Sequence, residues 1–179
     1  MTDNHCIQLI DITPYTDCIY QVHPTTIEQV IKNESSFKPF AINVNKLPGH
    51  SPPKFKQPRT KEEAIDLANY YLSLGHSVDL GLMQINTSNL KAYGVTIEEM
   101  FTPCKNIQIG SKILHESYQR ALKINPEPGA ALQIALSYYN TGSPNRGFRN
   151  GYVKKYINSS ITRRVRAAPS SISTQGLYD

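Results

Sequence analysis

The sequence lacks the main marks of several protein classes. None of its 179 residues belongs to a run of about 18 uninterrupted apolar residues, the length that a transmembrane helix needs. The N-terminal residues Met1 to His5 lack the basic start and apolar run of a signal peptide. No internal repeat is visible, and the cysteine spacings match no zinc site. The sequence therefore indicates no membrane span and no repeat array, and we expect neither a metal ion nor a cofactor.

Cysteine is scarce and odd in number. Cys6, Cys18 and Cys104 allow at most one intramolecular disulfide and leave one thiol over. The count by itself is therefore compatible with a reducing or an oxidising compartment.

Charged residues are few and unevenly placed. They make up 18% of the chain, with a formal net charge of +5. From Gly142 onward there are seven basic residues and one acid, which leaves the first 141 residues at −1. A basic segment can contact nucleic acid, anionic lipid or an acidic polymer. No aromatic ladder for base stacking accompanies these charges, so we favour a solvated face and a flexible tail over nucleic-acid binding.

The length and an apolar content of 39% suit one globular domain with its own core. Residues 1–20 show no sustained periodicity, and residues 159–179 are mostly small, polar or basic. We therefore predict an extended or disordered N-terminal extension (1–20), a folded domain (21–158) and a basic flexible tail (159–179).

The periodic signals within the domain are mostly helical. Capping boxes, in which a threonine and a glutamate three residues later satisfy free backbone amides, predict helix starts. They occur at Thr25 with Glu28, Thr60 with Glu63, and Thr96 with Glu99. Apolar residues at helical spacing extend these helices and predict three more, at about 107–121, 129–139 and 148–156. Gly75 and Gly142 mark two helix ends.

One segment departs from the helical pattern. Between residues 77 and 86, Val78, Leu80 and Leu82 alternate with Asp79 and Gly81. Such alternation predicts a short β-hairpin. The predicted fold class is therefore mainly α, with one small β-hairpin and flexible termini.

Glu34 is the first candidate for chemistry. It follows Ile27 by seven residues and so shares a helix face with Ile27, Val30 and Ile31, the face expected to be buried. Burial penalises the ionised form of a carboxyl group, so a glutamate there can donate a proton near neutral pH. The alternative is a carboxylate at the end of the helix that reaches water beside Ser35.

The run from Ser77 to Asn86 is the second candidate. It joins one carboxylate, Asp79, to two amide side chains, Gln84 and Asn86, that can hydrogen-bond a sugar. Amides in short β segments are usually structural or lie at the surface. By itself, the run indicates a strand with a turn.

Four segments together carry a resemblance to a known family, over about residues 17–155. They are Glu34-Ser35 with Ala41 to Asn45, Asp79 to Asn86, Pro103 to Ile107 with Gly110, and Ser137 to Gly142 with Asn150 to Val153. With these segments the chain resembles the lysozyme-like superfamily, and most closely the lytic transglycosylases that accompany type IV secretion and conjugation systems. The resemblance implies a lysozyme-like single domain.

The same resemblance implies roles for residues at matching positions. Glu34 corresponds to the catalytic glutamate and Tyr139 to a tyrosine that reaches it by a hydrogen bond. Because Tyr139 shares the stripe of Leu132 and Leu136, we expect its ring to be buried; an ordinary core tyrosine is the alternative. Substrate-binding residues are expected at Ser35, Met83, Gln84, Asn86, Asn106 and Asn140.

The implied reaction cleaves the β-1,4 bond between N-acetylmuramic acid and N-acetylglucosamine in peptidoglycan. Glu34 would protonate the glycosidic oxygen, while the substrate's own acetamido group stabilises the charge at the anomeric carbon. The ionised Glu34 would then take a proton from the C6 hydroxyl, which closes a 1,6-anhydro ring. This route needs one carboxylate, unlike the usual pair in glycoside hydrolysis.

Asp79 leaves a second reaction open. Animal-type lysozymes carry a similar Asp-x-Gly-x-x-Gln-Ile-Asn run in which the aspartate is the second catalytic carboxylate. By that resemblance Glu34 and Asp79 would support hydrolysis as a pair. The alternatives for Asp79 are an electrostatic helper and a turn-capping structural residue.

The resemblance also pairs Cys18 with Cys104 in a disulfide, which implies an oxidising periplasm. A periplasmic enzyme arrives with a signal peptide, and none is visible. We therefore expect that it was removed and that Met1 was added for expression. Cys6 has no assigned partner.

Four functions stay open at this point. The first is a lytic transglycosylase that opens the cell wall locally for a secretion or conjugation apparatus, and the second is a hydrolytic muramidase. The third is a wall-binding scaffold protein, against which the presence of Glu34 argues. The fourth is nucleic-acid binding through the basic tail. The expected partners are peptidoglycan glycan strands and, through the C-terminal region, type IV secretion components.

Overall fold

The computed structural model describes residues 9–157, and these are mainly helical. Their α-helices are α1 (Pro24–Ser35), α2 (Lys61–Ser73), α3 (Leu90–Tyr93), α4 (Ile97–Met100), α5 (Pro103–Leu122), α6 (Pro128–Thr141), α7 (Arg146–Arg149) and α8 (Lys154–Ile157). Their strands β1 (Ile42–Val44), β2 (Val78–Leu80) and β3 (Ile85–Asn86) form one antiparallel sheet. The predicted fold class, mainly α with a small β element, is confirmed for these residues.

The described residues group into two compact units. The first holds residues 9–18 and 28–110, and it contains the whole sheet. The second holds residues 19–27 and 111–157. The predicted domain limits at residues 20 and 158 stay predictions, and the basic tail and Cys6 lie outside the described residues.

The sheet is built around β2, which pairs with β1 on one side and β3 on the other. The register sets Asn43, Asp79 and Asn86 side by side across the three strands. The adjacent row, Ile42, Leu80 and Ile85, points to the opposite face and is buried. The predicted hairpin is confirmed as β2 and β3. Strand β1 was not predicted, because three residues alternate too briefly to be recognised.

The hairpin turn depends on one glycine. Gly81 has a φ of +71°, and a Cβ at this position would lie 2.4 Å from the Met100 carbonyl oxygen and 2.5 Å from Asn106 Nδ2. Both the backbone angle and the lack of space therefore require glycine. Gln84, at the other end of the turn, also has a positive φ of 51°.

Two of the three predicted capping boxes lie at real helix starts. Thr60 accepts a hydrogen bond from the Glu63 N–H (3.1 Å), while the Glu63 carboxylate accepts one from the Arg59 N–H (2.8 Å). Thr96 and Glu99 form a complete capping box before α4. Both helix starts are therefore confirmed. They could be predicted from the sequence because the hydrogen bonds of a capping box join only neighbouring residues.

The predicted start of α1 at Thr25 is wrong. The helix begins with Pro24, and His23 Nδ1 accepts the hydrogen bond of the Thr25 N–H (3.2 Å). Proline suits the first helical position because it has no N–H to leave unsatisfied. Thr25 and Glu28 therefore lie inside the helix.

The apolar stripe of α5 is confirmed, and its residues Ile107, Gly110, Leu114, Tyr118 and Ala121 are buried. Burial, with a contribution from the negative charge of Glu127, raises the pKa of Tyr118 to about 12. Its phenol therefore stays protonated at physiological pH.

In the second unit, α6 ends where the sequence predicted. Gly142 adopts the left-handed conformation (φ +67°) directly after the helix. Within α6, the buried Ser137 Oγ accepts from the Gly147 N–H (2.9 Å) and donates to the Ser143 carbonyl (2.7 Å). A Cβ on Gly147 would lie 2.6 Å from Ser137 Cα, so this glycine lets α7 pack closely on α6.

The last predicted helix is wrong as a single element. It consists of α7 and α8, separated around Gly151, which has a φ of +82°. Tyr152 and Tyr156 are buried, with their hydroxyl oxygens 3.0 Å apart. Phe148 lies before the break and is 41% exposed. The interruption removes it from the stripe that its spacing suggested.

The N-terminal extension is not wholly extended. Thr13–Cys18 form a 3-10 helix. Asp11 accepts hydrogen bonds from the Thr13 N–H (2.9 Å) and the Thr13 hydroxyl (2.8 Å), and these two bonds lower the pKa of Asp11. At the far end, Cys18 is bonded to Cys104, the disulfide that the resemblance implied, with a Cα–Cα distance of 5.4 Å. A helix of six residues is too short to show a periodic pattern.

Candidate active site

Glu34 lies in the last turn of α1, at the end of a buried apolar face. The residues expected on that face, Ile27, Val30 and Ile31, are each 0% exposed. Glu34 itself is half-buried. The next residue, Ser35, is buried and donates its hydroxyl to the Ile31 carbonyl (3.1 Å). The environment of Glu34 is therefore intermediate between the two that the sequence allowed, a buried helix face and open water at the helix end.

The chain turns sharply directly after Glu34. Ser36 (φ 51°) and Phe37 (φ 61°) are both left-handed, a conformation that costs a non-glycine residue about 1–2 kcal/mol. The Phe37 carbonyl accepts from the Ile10 N–H (3.0 Å), and the Ser35 carbonyl accepts from the Lys38 N–H (3.1 Å). Such strain persists only where surrounding contacts hold it, and it is common beside active sites.

Asp79 is held by three asparagines on the polar face of the sheet. Its Oδ2 accepts from Asn43 Nδ2 (2.9 Å) and Asn45 Nδ2 (3.2 Å), and its Oδ1 accepts from Asn86 Nδ2 (2.7 Å). A carboxylate offers about four acceptor positions. Three of these positions accept hydrogen bonds from residues on or beside β1 and β3. The Asp79 carboxylate therefore links the strands of the sheet and does not cap a turn, the structural alternative that the sequence suggested.

Asn43 and Asn45 received no role from the sequence. Their two-residue spacing was the available signal, because it places both side chains on one side of a strand. That signal has meaning only once β1 and its register with Asp79 are known.

The amide N–H groups of Gln84 and Asn86 donate hydrogen bonds to other groups of the protein. Gln84 Nε2 donates to the carbonyls of Ala41 and Gly81, both at 3.0 Å. Besides its bond to Asp79, Asn86 accepts from the Ser88 N–H through Oδ1 (3.0 Å). Both side chains are half-buried.

Asn106 and Met83 lie in the core, with exposed fractions of 1% and 0%. Asn106 Nδ2 donates to the carbonyls of Leu80 (2.9 Å) and Met100 (2.7 Å), and its Oδ1 accepts from the Met83 N–H (2.9 Å). A Cβ on Gly110 would lie 2.4 Å from Met83 Sδ, so α5 approaches this side chain closely. Their burial does not fit the predicted sugar contacts, and we propose that both residues shape the turn around Gly81.

Tyr139 and Asn140 belong to the second unit, in the last turn of α6. Tyr139 is half-buried, not buried as its stripe predicted, whereas Leu132 and Leu136 are buried. Asn140 is exposed, and its Oδ1 accepts from Asn150 Nδ2 (2.9 Å). The hydrogen bond from Tyr139 to Glu34 stays a prediction.

Residues 9–157 contain neither a candidate metal site nor a helix that could span a membrane. No three side chains of histidine, cysteine, aspartate or glutamate in this range are grouped so that they could bind a metal ion. None of the helices in the same range combines the length and the apolar character needed to cross a membrane.

Comparison with known proteins identifies relatives over most of the chain. The family model described as the transglycosylase SLT domain matches residues 14–161. The type IV secretion system protein virB1 of Brucella suis is 36% identical over 160 residues, which are 85% of this chain and 65% of that protein. Protein virB1 of Agrobacterium fabrum is 32% identical over 139 residues, 78% of this chain and 54% of that protein. No solved structure matches. The chain thus spans less than two thirds of the length of these relatives.

Proposed function

We propose that this chain, which belongs to the transglycosylase SLT domain family, cleaves the β-1,4 bond between N-acetylmuramic acid and N-acetylglucosamine in peptidoglycan. One relative is named as a type IV secretion system protein. We extend that setting to this chain, which would open the cell wall locally, in the periplasm, where a secretion or conjugation apparatus assembles. Because the chain spans only part of that relative, its activity, substrate and setting are all included in the proposal.

The observation that carries the proposal is the position of Glu34. The residue ends a helix face whose other members are fully buried, and it is itself half-buried. The strained turn at Ser36 and Phe37 holds the chain as it leaves this carboxyl group. A general acid needs a fixed position and partial shelter from water, and the half-burial of Glu34 beside a strained turn supports that role.

In the proposed reaction, Glu34 transfers its proton to the glycosidic oxygen as the bond from that oxygen to the anomeric carbon of N-acetylmuramic acid breaks. The substrate's acetamido oxygen stabilises the positive charge on the anomeric carbon. The Glu34 carboxylate then removes the proton of the C6 hydroxyl, and O6 bonds to the anomeric carbon. The glutamate ends protonated, as it began, and no water is consumed.

Hydrolysis with Asp79 as a second carboxylate is the competing function. Against a nucleophilic role, both oxygens of Asp79 already accept hydrogen bonds, three in total. Attack on a sugar carbon would require one oxygen to give up part of this network. We therefore propose that Asp79 organises the sheet and lends at most electrostatic support.

The Asp79→Asn variant separates the two functions. Asparagine keeps the size but sets an amide group against three amide donors, so we expect a loss of about 1–3 kcal/mol in the free energy of unfolding. The folded variant should keep cleavage within about tenfold of wild type, since the transglycosylase route needs no second carboxylate. Fragment release at a temperature where circular dichroism shows full folding measures this.

A fall of about 10²-fold or more in the folded Asp79→Asn variant would favour the hydrolase. Asp17→Asn, a change on an exposed residue of the 3-10 helix, is the matched control and should alter neither stability nor cleavage.

The remaining predicted contacts are proposals of lower rank. We propose that the Gln84 amide oxygen accepts a hydrogen bond from the glycan, that the exposed Asn140 donates one to it, and that Tyr139 orients Glu34. Ser35 is committed to the helix backbone. The proposed recruitment of secretion components through the C-terminal region rests on residues beyond those described.

A further inference from the structure

A cavity of about 540 Å³ lies in the first unit, between residues 56–59 and the outer face of α2. Lys56 and Arg59 line it from the loop, and Asp66, Leu67 and Tyr70 line it from the helix. Tyr70 is 56% exposed, so this cavity wall presents a large aromatic side chain to solvent. The cavity therefore combines two cations, two acids (Glu63 and Asp66) and an apolar patch.

The loop wall of this cavity is fixed by Gln57. Its Oε1 accepts from the Ile42 N–H (3.0 Å) and its Nε2 donates to the Ile42 carbonyl (2.8 Å), as a neighbouring strand would. The helix wall is fixed by Glu63, whose carboxylate accepts from the Arg59 backbone N–H. Within the described residues, the side chains of Lys56, Arg59 and Asp66 make no hydrogen bond or ion pair. Their charges are thus available to a ligand.

A second, smaller cavity joins this one to the segment that follows Glu34. The smaller cavity shares residues 57–59 with the larger one and is lined by residues 38–41. Lys38 follows Glu34 by four residues, which span at most about 14 Å. Ala41, on the same wall, accepts the hydrogen bond of Gln84 Nε2. Because the two cavities share residues 57–59, the segment that follows Glu34 and the larger cavity lie in the same part of the first unit.

We propose that the larger cavity binds the peptide stem of the peptidoglycan strand, an inference that rests on the proposed function and adds recognition of the peptide to it. A stem is a short peptide that carries carboxylates, a free amino group where it is not cross-linked, and alanine methyl groups. Lys56 and Arg59 pair with the carboxylates, Asp66 pairs with the ammonium group, and Leu67 and Tyr70 contact the methyl groups. Charges of both signs in one cavity suit such a peptide better than an uncharged sugar.

The kinetic test compares intact glycan strands with strands from which an amidase has removed the stems. Arg59→Ala keeps the backbone N–H that Glu63 accepts, so α2 retains its cap. In this variant and in Asp66→Asn, KM for intact strands should rise about tenfold with kcat unchanged, since each loses one charged contact. KM for stripped strands should change less than about twofold. Lys54→Ala, an exposed lysine outside the cavity lining, should change neither value.

A binding test keeps the inference separate from the proposed cleavage. The isolated, uncross-linked tetrapeptide stem is titrated into the full chain, with Tyr70 and Leu67 observed by NMR. We expect their signals to shift, and we expect Asp66→Asn or acetylation of the peptide's amino group to weaken binding about tenfold. Equal KM changes for intact and stripped strands, or no binding of the stem, would overturn the inference. A wild-type chain that binds the stem but cleaves neither substrate would retain this site and refute the proposed function.

Discussion

Replacing Glu34 by glutamine should reduce the rate at which isolated peptidoglycan is cleaved by about 10²- to 10⁴-fold. Glutamine has the same size and can keep hydrogen bonds, but it cannot release or take up the proton that both steps require. Fold and glycan binding should therefore be largely retained. Soluble fragment release measures the loss, while thermal unfolding and co-sedimentation with peptidoglycan check the other two properties.

Glu28→Gln provides a matched control on the same helix. Glu28 is exposed, whereas Glu34 is half-buried at the end of the apolar face. The control removes one negative charge from α1 and should leave turnover unchanged. Turnover near the wild-type level in Glu34→Gln would remove this residue from the mechanism.

The second large effect concerns the disulfide. Cys18 and Cys104 are 86 residues apart, and closing a loop of that length lowers the entropy of the unfolded chain by an amount worth about 4–5 kcal/mol. Replacing Cys18 by serine should lower the free energy of unfolding by about 2–5 kcal/mol. Urea unfolding under oxidising conditions measures this change.

The disulfide variants are best made in a Cys6→Ser background, because a freed Cys104 could otherwise pair with Cys6. Cys6→Ser alone is the control. Its free energy of unfolding should equal that of the wild-type chain, and the folded protein should show no reactive thiol, because its two remaining cysteines are bonded to each other. Addition of a reductant should destabilise the control to the level of the Cys18→Ser variant. Two reactive thiols in the folded control, or a loss below about 0.5 kcal/mol, would contradict the assigned pair.

The parts of the fold that the sequence predicted correctly depend on near neighbours. Thr60 with Glu63 and Thr96 with Glu99 satisfy backbone amides within one turn. The stripe of α5 is long enough for its period to be unmistakable. Gly142 ends α6 because a left-handed residue is needed directly after a helix.

The parts that the sequence missed depend on contacts between distant segments. Strand β1 exists because β2 offers it hydrogen bonds, and its three residues alone carry no usable pattern. Asn106, which the resemblance predicts to bind substrate, satisfies the backbone of the turn around Gly81 from 23 or more residues away. The local pattern also predicted the wrong cap for α1, because His23 and not Thr25 accepts the hydrogen bond of a free backbone N–H at the start of this helix.

The candidate site was only partly predictable from the residues themselves. The periodicity of α1 identified Glu34 as an acid on an apolar face, and the structure places it at the end of that face. The catalytic roles proposed for Glu34 and Tyr139 came from the family resemblance. The three amides that hold Asp79 became visible only with the strand register, which is why its role stayed open.

The identity of the cleavage products tests the central claim most directly. Purified chain is incubated with isolated peptidoglycan, and the soluble fragments are identified by mass spectrometry beside those of the Glu34→Gln variant. We expect fragments that end in 1,6-anhydro-N-acetylmuramic acid, lighter by one water than hydrolysis products, and we expect none from the variant. Reducing ends in place of anhydro ends, or no fragments from the wild-type chain, would contradict the proposed transglycosylase reaction.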